Sequence, residues 1–207
     1  MMFFFESVSP ELLNFLKAIM LDKEFDKFVL GGGTSLALRF GHRQSIDIDF
    51  FSIDPFDSIQ CVNSLHRLFP ELEVVNRTTG SVCAVVQECK IDILHHSYPL
   101  LYEPLVYRGI RFLSLPDLAA MKINAVTNRG SKKDFVDLLL LHDNGISLDK
   151  ALDYFCKKYG GAGRFLAIRS LSWFEDAEQE PDPLFLNGWT WDYVRQCIEK
   201  LDGDIIR

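Results

Sequence analysis

Apolar positions recur at helical spacing from Leu12 to Met20, at Leu12, Leu13, Phe15, Leu16, Ile19 and Met20. Ser9-Pro10-Glu11 precedes them with a hydroxyl N-cap, an N1 proline and a first-turn acid, which together start a helix. Phe28-Val29-Leu30 reads as a short buried strand ended by Gly31-Gly32-Gly33, and residues 34–40 read as a short helix. Alternation predicts a strand over residues 45–51, then a helix over 55–69 and strands over 71–77, 81–87 and 90–95. Residues 106–113 add another strand-like run, with Arg108-Gly109 as a turn. From Pro116 the period changes to that of helices, over 116–127, 132–142, 148–159 and 189–201, separated by Gly130, Asn144-Gly145 and Gly160-Gly161. The pattern contains no internal repeat and no low-complexity run. It predicts an α+β protein, with a mixed sheet and helices over residues 1–115 and a helical region over 116–207.

Composition adds exclusions. With 48% apolar and 25% charged residues among 207, the chain buries a real core, so disorder and a small disulfide scaffold are both ruled out. The opening MMFFFESVSP has no basic start and reaches Glu6 at once, which predicts neither a secretory signal nor a membrane span. Five cysteines without a CxxC pair argue for free thiols, a cytoplasmic setting and no cysteine zinc site. The net charge of −7 excludes a protein that merely coats nucleic acid. That charge is unevenly placed: from Ser170 to Arg207 nine acids face three bases, whereas from Lys90 to Leu140 seven bases face five acids. The middle of the chain is therefore compatible with a phosphate.

The candidate chemistry lies in GGGTSLALRFGHRQSIDIDFF, residues 31–51. On a strand Asp47 and Asp49 project to one side, and Ile46, Ile48 and Phe50 to the other. Two adjacent carboxylates repel, and a divalent cation with oxygen ligands makes the arrangement tolerable. A glycine turn that opens a helix presents free N–H groups to phosphate, with the Thr34 hydroxyl beside it. Asp92, flanked by Ile91 and Ile93, joins the pair if its strand lies next to theirs, and such a trio suits two Mg2+ ions about 3.5–4 Å apart. The plain alternatives are solvated acids at a strand end beside an ordinary turn. His42 and His66 stand alone and read as structural, and the adjacent His95 and His96 point opposite ways on a strand.

Gly32-Gly33-Thr34, Arg43, Ser45, Asp47-Ile48-Asp49 and Asp92 resemble the signature of the DNA polymerase beta-like nucleotidyltransferase superfamily. More narrowly, residues 31–51 are similar to the first motif of the AbiEii/AbiGii toxin-type nucleotidyltransferases. MKINAVTNRGSKKDFVDLLLL, residues 121–141, is similar to that family's lysine helix and Asp-x-x-Asp helix. The resemblance covers about half the chain, residues 28–141. It implies a polymerase-beta-like core followed by a helical half that covers the nucleotide cleft. It also implies Mg2+-dependent transfer of an NMP from an NTP to an acceptor hydroxyl, with Mn2+ as an alternative ion.

The same resemblance implies roles for single residues. Asp47, Asp49 and Asp92 would hold metal, with Asp92 near the attacking hydroxyl. Gly32, Gly33 and Thr34 would line the triphosphate, and Lys122 would be a catalytic, phosphate-side cation. Asp134 and Asp137 would belong to the nucleotide surroundings. Arg43 would contact phosphate or brace Asp47 or Asp49, and Ser45 would cap the turn. A solvated reading of Lys122, and a reading of Asp134 and Asp137 as helix N-terminal acids complementing the macrodipole, stand beside these, and Lys132 and Lys133 read as an exposed basic edge for substrate or as merely solvated. Partners implied are the NTP, a tRNA 3′ end as one acceptor, and a cognate antitoxin. A protein or small-molecule hydroxyl is the alternative acceptor, and a non-catalytic binding module on the same fold is the alternative of a different class.

Overall fold

Helix α1 (Pro10–Leu21) starts as its sequence requires, with the Ser9 hydroxyl accepting from the Leu12 N–H at 3.1 Å. It buries Leu12, Phe15, Leu16, Ile19 and Met20, the periodic positions. The computed structural model describes residues 3–205; Met1 and Met2 of the opening segment, and Ile206 and Arg207 of the acidic tail, lie outside the described residues. The described chain divides into two compact units. One comprises residues up to Gly41 with Ser45–Pro99 and Glu103–Leu113; the other comprises His42–Gln44, Leu100–Tyr102 and the chain from Ser114 onward.

The first unit carries α1, β1 (Val29–Leu30), α2 (Gly32–Phe40), β2 (Asp47–Ser52), α3 (Ser58–Leu68), β3 (Glu73–Arg77), β4 (Ser81–Val86), β5 (Cys89–His95), β6 (Leu105–Tyr107) and β7 (Ile110–Phe112). Its strands form one mixed sheet in the order β3-β4-β5-β2-β1-β7-β6. β2 runs parallel to β5, and β1 is antiparallel to β2 and parallel to β7. The run over 106–113 is a hairpin: Arg108 and Gly109 both take positive φ, 49° and 81°, as a two-residue turn between twisted strands demands.

Burial alternates along the central strands. Ile48 and Phe50 of β2, Val82, Ala84 and Val86 of β4, and Ile91 and Ile93 of β5 are all fully buried, in one cluster with Leu12, Leu16 and Leu65 from the helices. The opposite strand face carries Asp47, Asp49, Phe51, Cys83, Lys90 and Asp92, all left at least partly exposed. Truncating a core ring such as Phe50 typically costs about 3–5 kcal/mol.

The second unit holds α4 (Leu115–Asn128), α5 (Lys132–Asp143), α6 (Leu148–Tyr159), α7 (Arg164–Leu171), α8 (Glu175–Glu178) and α9 (Trp191–Ile205). Ser114 caps α4 and Ser147 caps α6. Phe135, Phe174 and Trp191 meet with ring centroids 4.8–6.0 Å apart. Asp117 and Lys158, both fully buried, pair at 2.8 Å, and Asp117 also accepts from the Leu101 N–H at 2.9 Å. The expected helices occur within a few residues of their limits, but α7 and α8 were not expected. Phe165 and Leu166 of α7 are exposed while Ala167 and Leu171 are buried, so its apolar residues mark no single face.

Candidate active site

Ladder register places the first group of candidate residues. Along β2 and β5, Asp47 stands opposite Lys90 and Asp49 opposite Asp92. Because their strands are parallel and adjacent, about 4.8 Å apart, Asp49 and Asp92 share a face with Asp47 and Lys90. Ile46 departs from its expected place beside Ile48 and Phe50. The strand begins at Asp47, so Ile46 lies in the preceding loop and is 64% exposed.

The glycine turn is built against one of these carboxylates. The Gly31 N–H donates to the Asp49 carbonyl at 2.8 Å, and α2 begins at the next residue. Gly32 has φ +60°, and a Cβ there would sit 1.9 Å from Asp49 Oδ2, so only glycine fits on both counts. The first turn of α2 thus lies close to Asp49, where the positive end of the helix favours a carboxylate. Thr34 and Ser45 do something more structural. Their hydroxyls are 2.7 Å apart, Thr34 also donates to the Asp47 carbonyl, and both residues are buried. The pair ties α2 to the start of β2.

Charge on this face is partly balanced. Lys90 Nζ donates to Asp92 Oδ2 at 2.6 Å, a pair that raises the lysine, and the Lys90 side chain is 48% exposed. Cys83 of β4 stands opposite Asp92. Its thiol is raised by burial first and by the Asp92 carboxylate second. Among the described residues no three carboxylate, imidazole or thiol groups form a preformed metal cage. The donors nonetheless fit a hard divalent cation: they are carboxylate oxygens, they are in register, and they are not sealed from water.

The second group belongs to the helical unit and, apart from the exposed Arg129, is buried. Lys122 of α4 lies 2.8 Å from Asp134 Oδ1 and 2.5 Å from Asp137 Oδ2, both on α5. Arg43 forks onto Asp137 at 2.8 and 2.9 Å, His42 Nε2 reaches the same carboxylate at 2.8 Å, and Arg129 forks onto Asp134 at 2.7 and 3.0 Å. Burial alone raises the Asp137 carboxyl, but Arg43, Lys122 and His42 overcome that and hold it well below the usual carboxylate range. Burial lowers Lys122, and its two aspartates more than restore it. For His42 burial outweighs Asp137, so the ring is neutral and Nε2–H donates.

These positions correct two readings. Lys122 is 5% exposed, which removes the solvated alternative; Asp134 lies in the first turn of α5, as the helix-start reading has it, and both it and Asp137 are also fully buried pair members. Lys132 is 6% exposed, pairs with Asp182 at 2.7 Å and lies over the Trp191 ring, so it is no exposed edge; Lys133 is exposed. His42, Arg129 and Lys90 were missed as members of these groups. Lys90 alone had a legible signal, since residues two apart on a strand share a face.

The chain matches the family described as "Nucleotidyl transferase AbiEii toxin, Type IV TA system" over residues 14–196. An uncharacterized protein of Aquifex aeolicus (strain VF5) is 35% identical over 158 residues, which span 74% of this chain and 76% of that one. Among solved structures, a proposed nucleotidyltransferase from H. pylori superposes with a TM-score of 0.59 at 18% identity, over 95% of each chain. JHP933 from Helicobacter pylori gives 0.56 at 18% identity, over 96% of this chain and 93% of that one. The antibiotic-resistance factor ANT(2'')-Ia gives 0.54 at 14% identity, over 77% and 95%. At such identities the structures speak to fold, and the fold is that of the polymerase-beta-like nucleotidyltransferases.

Proposed function

The chain belongs to the AbiEii nucleotidyl transferase toxin family, and on that premise we propose which residues carry the transfer and what receives the nucleotide. The protein is a nucleotidyltransferase with a toxin role. We assign Asp47 and Asp49 as metal ligands, and Asp92 as the carboxylate that receives the acceptor's proton. One observation carries this reading: Asp49 and Asp92 stand opposite each other in a parallel ladder, with the Gly32 turn pressed against Asp49.

In the step assigned, the acceptor hydroxyl oxygen forms a bond to the α-phosphorus of an NTP. The bond from that phosphorus to the bridging oxygen breaks, and pyrophosphate leaves. The hydroxyl proton passes to Asp92. The N–H groups of Gly32 and Gly33 at the start of α2 hold phosphate oxygens, as helix N-termini do. When bound at Asp47, Asp49 and Asp92, divalent cations (two Mg2+ ions, or Mn2+) supply charge neutralisation at the phosphates and acidify the acceptor hydroxyl.

Thr34 and Ser45 brace β2 against α2. Lys122, Asp134, Asp137 and Arg43 serve as positioning residues, a role supported by their mutual ion pairing. The acceptor we assign is a tRNA 3′ end, and a cognate antitoxin is the assigned partner.

Labelled NTPs tested one at a time with Mg2+, in the presence of total RNA or total protein, check this reading. Label is expected in the tRNA fraction with wild type and not with Asp49→Asn. Label in protein would overturn the acceptor assignment. Undiminished label with Asp49→Asn would overturn the site.

A further inference from the structure

Three carboxylates share one face of β2 and β5, and the Lys90 ammonium lies among them. Lys90 stands opposite Asp47 in the ladder and two residues before Asp92 on the same strand, so all three side chains leave the sheet in one direction. Its Nζ is 2.6 Å from Asp92 Oδ2. Asp92 in turn stands opposite Asp49, whose carboxylate abuts the Gly32 turn. The Lys90 side chain is 48% exposed and its stem is flexible, so the ammonium is able to leave without disturbing the core beneath.

We infer that Lys90 is a built-in counterion of the carboxylate face, a positioning residue that competes with the divalent cation for Asp92. Like charges on neighbouring strands repel, and one positive charge reduces that repulsion while keeping the Asp92 carboxylate turned toward Lys90. A divalent cation carries twice the charge and takes several oxygens at once, so it displaces the ammonium at sufficient concentration. The pair therefore sets how much divalent cation is needed before Asp92 joins the site. This inference rests on the metal-site reading above.

Titration of Mn2+ alone, without nucleotide, followed by electron paramagnetic resonance of the free ion, tests it on wild type, Lys90→Met, Lys90→Arg and Asp49→Asn. Removal of an exposed pair's charge should tighten Mn2+ binding by roughly two- to fivefold, the range of such pairs. The gain should shrink at high salt, where exposed charges are screened. Lys90→Arg should stay near wild type. Unchanged or weaker Mn2+ binding by Lys90→Met would overturn the counterion role, provided Asp49→Asn has lost the ion. Mn2+ binding that survives in Asp49→Asn, or is absent from wild type, would instead sink the metal-site reading, and the Lys90 role with it.

Discussion

Two sets of charges in this protein look alike in sequence and differ in environment. On the sheet, Asp47, Asp49 and Asp92 keep partial exposure, and Lys90, a basic side chain on that face, remains about half exposed. In the helical unit, Asp134 and Asp137 are completely buried, and Lys122, Arg43, His42 and Arg129 saturate them with direct hydrogen bonds. A buried carboxylate without partners is costly, so the second set must be fully paired for the unit to fold. That demand is weaker for the first set, which is partly exposed. Charges that keep partial exposure are the ones a ligand from solution can reach, and charges sealed in the interior hold architecture.

The sharpest way to break that comparison is to remove charge from the sheet. Asp49→Asn and Asp47→Asn should each lower transfer by more than the roughly 10–100-fold lost when a metal's outer partners are removed. Their melting temperatures should stay at or above wild type, since repulsion is relieved. Transfer assays beside thermal melts check this, and a collapse of the melting temperature would mean these acids are structural after all.

Next in size is the buried set. Lys122→Met leaves two buried carboxylates short of a cation and should cost about 3–5 kcal/mol of stability. The same set should show in acid. Because the folded Asp137 carboxyl is depressed, its contribution is fully present above the ordinary carboxylate value near pH 4. It is then lost as pH falls through the lower folded value. Urea melts from pH 6 down to pH 3 should therefore lose stability steeply in wild type and less steeply in Asp137→Asn, starting from a lower plateau. Parallel slopes would count against the pairing.

Gly32→Ala combines a positive φ with a Cβ 1.9 Å from Asp49 Oδ2. It should destabilise by about 1–3 kcal/mol, and should impair transfer beyond what the stability loss explains, because the atom it displaces is the carboxylate. Transfer equal to wild type at a temperature where the variant is folded would separate the turn from the site. Smallest is Lys90→Met, worth within about 1 kcal/mol of stability as a half-exposed pair. An effect as large as that of Lys122→Met would erase the distinction between the two regions.

Much of this was legible along the chain. β2 and β5 were visible because apolar residues at every second position require one buried face, which forces Asp47, Asp49 and Asp92 onto the other. The helices α4, α5 and α6 were visible through serine caps and a period of 3.6. Helix α7 was not, because its apolar residues split between buried Ala167 and Leu171 and exposed Phe165 and Leu166. Lys132 looked like a solvated base because nothing within its own helix announces Asp182, fifty residues away.

The sequence by itself determined which side chains share a strand face or a helix face, since that follows from local backbone geometry alone. It also determined where a glycine was needed to open a helix from a strand. Only the tertiary structure decided that β5 lies parallel to β2 with Asp92 opposite Asp49, and that Asp137 collects Arg43, His42 and Lys122. Those facts join residues more than forty positions apart in the first case, and as many as ninety-five in the second. Backbone periodicity carries no information over such distances; they are settled when the strands find their ladder register and the buried carboxylates of α5 find their cations.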